Sequence, residues 1–345
     1  MPRTPNRFGP RRFRFLLPAL LTMLGAGFDK ITELPGGNVN PYHSGEMAFS
    51  PDSRTLALPK EDGRVELCDL TTGKVTDLAC PHGGQVRADQ VTYSKQGRLL
   101  AVNYGARGMA IWDVPGKKVR VQLPFDSIGV EFTDGDRTLL GLDLKRGHSP
   151  NPQDWHALTV RWDVATGKRL DTVDFGPSPV FRALSPDGRY AVLQDLDKFR
   201  VLSLATRKKL FDLPDFGEFL FSEDGTTLVS YIRGRLSLLE VPSGKLLRHL
   251  GDHYPDDSNS HSLSLSRDKR LLAVGRFNGN HRAGVIDLVS GKILGTFACG
   301  APEMICKNIR ISPDGRTVAT NTEAVNTQDQ PVSSLLKLWK IPASW

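Results

Sequence analysis

One turn recurs along this 345-residue chain and restricts its fold more than any other feature. It reads Ser50-Pro51-Asp52-Ser53, Ser185-Pro186-Asp187-Gly188 and Ser312-Pro313-Asp314-Gly315, with looser copies starting at Ser94, Thr133, Ser222 and Ser266. The seven copies follow one another at about 44 residues, within the range of modular repeats that bury their faces against each other. Serine first, proline second and glycine fourth is type I turn chemistry: the ring presets φ and glycine frees the exit. A second anchor follows each turn. It is clearest as Leu67-Cys68-Asp69-Leu70-Thr71-Thr72-Gly73-Lys74, Ile111-Trp112-Asp113-Val114-Pro115-Gly116-Lys117 and Arg161-Trp162-Asp163-Val164-Ala165-Thr166-Gly167-Lys168. Its later copies centre on Leu202, Leu239, Ile286 and Trp339.

Short apolar runs such as Leu99–Val102 and Thr317–Thr320 separate the two anchors, and another follows each Gly-Lys pair. Each unit therefore reads as four short strands, a to d, with no segment of helical period. Such a unit cannot bury both faces alone, so consecutive units stack, and radial closure lets them do so. The large residue shared by Cys68, Trp112, Trp162, Leu202, Leu239, Ile286 and Trp339 is a core layer between units.

These residues resemble the WD40 family of β-propellers, whose blades end their third strand in Trp-Asp. The resemblance covers roughly residues 30–341. Trp112-Asp113 and Trp162-Asp163 match the dipeptide, Cys68-Asp69 and Ile286-Asp287 keep the Asp, and Trp339-Lys340 keeps the Trp, the pattern of a divergent, bacterial-type member. The expected fold is an all-β, seven-bladed propeller of four-stranded antiparallel blades spanning residues 28–345. Too few residues follow Ile341 for a fourth strand in the last blade, and an unpaired edge there would invite aggregation. Lys30-Ile31-Thr32-Glu33-Leu34 resembles Lys74-Val75-Thr76-Asp77-Leu78 position by position, so Lys30–Leu34 is expected to pair near Leu335–Ile341 and close the ring.

Composition narrows the function. Of the formal +7, five charges are arginines within residues 1–14, and the rest of the chain carries 40 basic against 38 acidic side chains. Nucleic-acid binding, which needs a clustered basic face, is disfavoured. The arginines precede an apolar run, Phe15–Leu24, too short for a membrane span and followed by Gly25-Ala26-Gly27, so residues 1–27 read as a secretory signal or retained anchor and the protein as exported, the alternative being a mis-assigned start on a cytoplasmic protein. Cys68, Cys80, Cys299 and Cys306 fit no zinc spacing and are equally compatible with buried thiols or disulfides.

No nucleophile elbow, zinc-protease helix, dinucleotide fingerprint or phosphate loop is present, so no catalytic residue, metal or cofactor is expected. In a four-stranded meander the a–b and c–d turns share one end, and the b–c and d–a connections share the other. The second set is longer, at 36–45, 80–89, 143–157, 251–261, 275–283, 298–308 and 321–333, and carries seven of the eight histidines. Interface anchors favour aromatic residues and arginine. The candidate contacts are therefore Tyr104 and Arg107 in blade 2, and His148, Asp154, Trp155 and His156 in blade 3. Blade 6 adds Tyr254, Asp256 and Asp257 on one loop and Arg276, Phe277, Asn278 and His281 on another. The resemblance implies a non-enzymatic scaffold binding a protein or peptide through this face. The alternative is an exported propeller holding a metal, cofactor or small molecule near the axis.

Overall fold

A computed structural model of the chain describes residues 29–35, 47–83, 86–125, 127, 129–145, 155–177, 180–195, 198–214, 217–232, 234–251, 262–275, 282–299, 304–325 and 331–342. These residues form seven four-stranded antiparallel sheets. Six are consecutive meanders, at 48–78, 90–123, 129–177, 180–213, 218–251 and 263–298. The seventh takes strands a to c from 304–340 and its outer strand from Asp29–Pro35. That strand pairs antiparallel with Pro331–Lys340, Asp29 opposite Lys340 and Pro35 opposite Leu335, with one irregularity between Lys30 and Thr32. The ring closes by the N-terminal strand, as its likeness to Lys74–Leu78 implied. The first strands of successive blades touch one another all the way round, including blade 7 against blade 1.

The buried apolar side chains explain why the blades associate. They fall into seven clusters, one at each junction between neighbouring blades. Trp112 sits in the blade 1–2 junction, Trp162 in the blade 2–3 junction and Trp339 in the blade 6–7 junction. Each buried side chain of this size contributes about 1.5–3 kcal/mol, but only once the neighbouring blade covers it.

Polar residues fix the turns. In the a–b turn the first serine is buried, accepts a hydrogen bond from the amide five residues on and donates to the aspartate two residues on. Ser222 shows the pattern, with Thr227 N at 3.0 Å and Asp224 Oδ1 at 2.7 Å. The same cage recurs at Ser50, Ser185, Ser266 and Ser312. Blade 2 has Gln96 and blade 3 Gly135 where the other five have Asp, and Asp136 of blade 3 instead clasps the blade 2 turn from outside, accepting from Lys95 N and Gln96 N at 3.0 and 3.1 Å. The fourth turn residue adopts a left-handed φ, at +72° for Gly188 and +70° for Gly315, which is why glycine recurs there. In the second anchor the aspartate caps the c–d turn: Asp69 Oδ1 accepts from Thr71 N and Thr72 N, and Asp163 Oδ1 from Thr166 N.

Three of the expected connections are shorter than the sequence implied. Strands Thr317–Val325 and Pro331–Lys340 run through most of 321–333 and still pair at Ala324 and Ser333. Strands Thr138–Lys145 and His156–Asp163 likewise invade both ends of 143–157, with Lys145 opposite His156, and Met304–Ile311 occupies much of 298–308. An antiparallel ladder keeps satisfying backbone groups beyond the apolar core, so polar stretches such as Asn321-Thr322-Glu323 extend strands that lack an alternating signal.

Candidate binding face and axial chamber

The first strand of each blade borders the axis. The residue two before the turn serine points toward it, giving a layer of Ala48, Thr92, Glu131, Ala183, Leu220 and Arg310 around a chamber of about 420 Å³. A second space of about 320 Å³ adjoins it and is shared by Arg182, Ser264 and Arg310. Five blades put a small or uncharged residue in this layer, which leaves Glu131 of blade 3 and Arg310 of blade 7 as its charges.

The Glu131 carboxyl makes no hydrogen bond or ion pair among the described residues. Burial pushes its carboxyl up to about 8; Lys95 opposes that shift, whereas Glu223 and Asp187 add to it. It is therefore a neutral acid near pH 7. Arg182 enters the same chamber because strand Val180–Leu184 is irregular between Phe181 and Ala183, where the extra residue swings out of the ladder. Its guanidinium donates to Gln194 Oε1, with Nε at 2.6 Å. Burial lowers its pKa, and Glu218 works in the opposite direction.

The turn end of the ring is committed to holding the blades together. Arg267, on the blade 6 turn, pairs with Glu223 of blade 5 at 2.7 Å and donates from Nη1 to Pro51 O of blade 1 at 3.2 Å. Its backbone amide donates to Pro313 O of blade 7 at 3.1 Å. One residue thus ties four blades across the chamber's end. Around the rim Arg189 reaches Asp224 O at 3.1 Å, and Asp314 N donates to Ser53 Oγ at 3.0 Å. Lys269 bonds Asp224 and Thr226 at 2.5 and 2.8 Å. Burial alone would raise Asp224, but Lys269, Ser222 and Thr226 together hold its carboxyl well below the ordinary range.

At the opposite end, four of the thirteen candidate contacts fall within the described residues. Arg107 is exposed on a single 3₁₀ turn, Gly105–Arg107, and Trp155 is half-buried beside the start of strand c of blade 3. His156 Nδ1 lies 2.8 Å from Asp174 Oδ2, a pair within one blade. Tyr104 is a correction: it is 3% exposed, its ring edge against His82, inside the blade 1–2 core. The chain doubles back there through left-handed Gly105 and Gly108, and Tyr104 N bonds Gly108 O at 2.8 Å, which folds the phenol under the loop. His148, Asp154, Tyr254, Asp256, Asp257, Arg276, Phe277, Asn278 and His281 lie outside the described residues. Among the described residues no three His, Cys, Asp or Glu side chains gather as a metal site, and no helix is long and apolar enough to cross a membrane.

Attention to the loop tips missed the chamber charges. Aligning the seven copies on the turn serine places Glu131 and Arg310 in a column that is otherwise small or uncharged, and that contrast is the signal that finds them.

Comparison with known proteins supports the architecture alone. No protein-family model matches the chain, and no curated protein matches it. Among solved structures it is similar to the β-propeller domain of Cps50 (Swd1) from Myceliophteria thermophila, with a TM-score of 0.65 and 14% identity over 91% of this chain and 100% of that one.

Proposed function

We propose that this propeller is a non-enzymatic scaffold that binds a protein or peptide on the end carrying its b–c and d–a connections. The observation that carries the reading is the asymmetry of the two ends. One is occupied by cross-blade contacts centred on Arg267, while the other presents Arg107 and Trp155 on connections that vary from blade to blade. The shared fold with a WD40-type propeller domain supports a scaffold and fixes no partner. The basic and then apolar leader supports export.

A test is capture from the exported fraction of the source cell on immobilised full-length protein and on an Arg107→Glu/Trp155→Ala variant of unchanged melting temperature. The proposal expects a protein held in stoichiometric amount by the parent and released by the variant. Identical bound sets would refute it. The chamber favours a second reading, a small charged molecule near the axis, because Glu131 and the arginines Arg182, Arg267 and Arg310 all line it. A metal or small molecule copurifying at one equivalent would establish that reading instead.

A further inference from the structure

Four cysteines are distributed unevenly among the blade junctions. Cys68 is buried between blades 7 and 1, and Cys80 packs against the blade 1–2 core. Cys299 and Cys306 meet: both are buried in the blade 6–7 junction, with their sulfurs 2.7 Å apart. Cys299 directly follows strand Ile293–Ala298, and Cys306 lies near the start of strand Met304–Ile311. The crossing from one blade to the next thus brings them together.

We propose that Cys299 and Cys306 form a disulfide when the chain folds in the presence of a disulfide oxidant, stapling blade 6 to blade 7. The approach is already much closer than non-bonded atoms of this size favour, and a small further movement reaches the bonded separation of about 2.05 Å. The chemistry is two thiol–disulfide exchanges. One thiolate attacks a small-molecule disulfide such as oxidised glutathione and releases one reduced thiol. The second thiolate then displaces the other thiol, so two electrons and two protons leave the pair and one external disulfide becomes two thiols.

The surroundings fix when this happens. Burial, reinforced by the neighbouring Cys306, raises Cys299 well above an ordinary thiol, so little thiolate exists in the folded ring. The bond therefore forms during folding, before the blade 6–7 core seals, and afterwards resists reductants until the ring unfolds. It does not depend on the scaffold reading.

The test is direct because tryptic cleavage leaves both residues in one peptide, Ile293 to Lys307, while Cys68 and Cys80 fall in separate ones. The reduced, unfolded full-length chain is refolded with reduced and oxidised glutathione, alkylated under denaturing conditions and digested. The expected result is an unalkylated 293–307 peptide two hydrogens lighter than its reduced form, with Cys68 and Cys80 alkylated. A Cys306→Ser variant should leave Cys299 alkylated or bound to glutathione. Native protein treated with reductant should keep the bond, and protein reduced in denaturant should lose it. A doubly alkylated 293–307 peptide, or pairing with Cys68 or Cys80, would overturn the proposal. If refolding fails, the same digest on protein exported to an oxidising compartment gives the same two outcomes.

Discussion

Replacing Glu131 with glutamine should stabilise the ring, and the gain should grow with pH. An ordinary glutamate loses its proton near 4.5, and Glu131 holds its proton to about 8 because the chamber withholds water from the charged form. Between those values the unfolded chain has released a proton that the folded chain retains, so stability falls as pH rises through this window and levels off above it. The separation is about 3.5 pK units at about 1.4 kcal/mol each, a ceiling of ~5 kcal/mol. The chamber admits some water, so about 2–3 kcal/mol is expected above pH 8 and close to nothing at pH 4.5. Glutamine keeps the shape and cannot ionise. Urea unfolding of parent and Glu131→Gln protein at pH 4.5, 6, 7.5 and 8.5 supplies the difference, in which every other titrating group cancels. The neighbours provide an internal check: Glu223→Gln should shrink the pH-dependent gap and Lys95→Met should widen it. A difference that stays flat from pH 4.5 to 8.5 would refute the placement of this carboxyl in the chamber.

Three further outcomes follow from the turns and the closure. Ser222→Ala removes an acceptor for Thr227 N and a donor to Asp224, and should cost about 1–3 kcal/mol in urea unfolding. Ser94→Ala should cost less, because its serine has no aspartate partner in the turn. Arg267→Ala should cost about 1–2 kcal/mol, lowering the melting temperature by a few degrees by calorimetry, since it severs contacts to blades 5 and 1 together. Deleting residues 28–36 bares the edge of Pro331–Lys340 and should lower the melting temperature by roughly 10 °C or more, with concentration-dependent aggregation seen by light scattering.

What could be read beforehand tracks what repeats. The turn serine recurs because a buried hydroxyl serves one amide and one carboxylate in five of the blades, with Ser94 and Thr133 keeping a hydroxyl at the same place in the other two, so the position is visible seven times over. The closing strand was legible because Lys30–Leu34 copies the outer strand of blade 1. Compensation between blades was not: Gln96 looks like a defective turn until Asp136, 40 residues away, is seen accepting from its backbone amide. Tyr104 has the composition of an exposed loop tip, and only the reversal through Gly105 and Gly108 buries it. The chamber depends on a register that alternates across a strand, with Arg182 added by an irregularity that no local pattern announces.

Cross-linking of Glu33→Cys to Lys337→Cys tests the closed ring most directly, because these two positions stand opposite each other in the closing strand pair. Rapid oxidative joining of 33 to 337, and none of 32 to 337, is the result that a seventh blade completed by the chain's own beginning requires. Equal joining at both positions, or at neither, would mean that the ring is not shut by this strand.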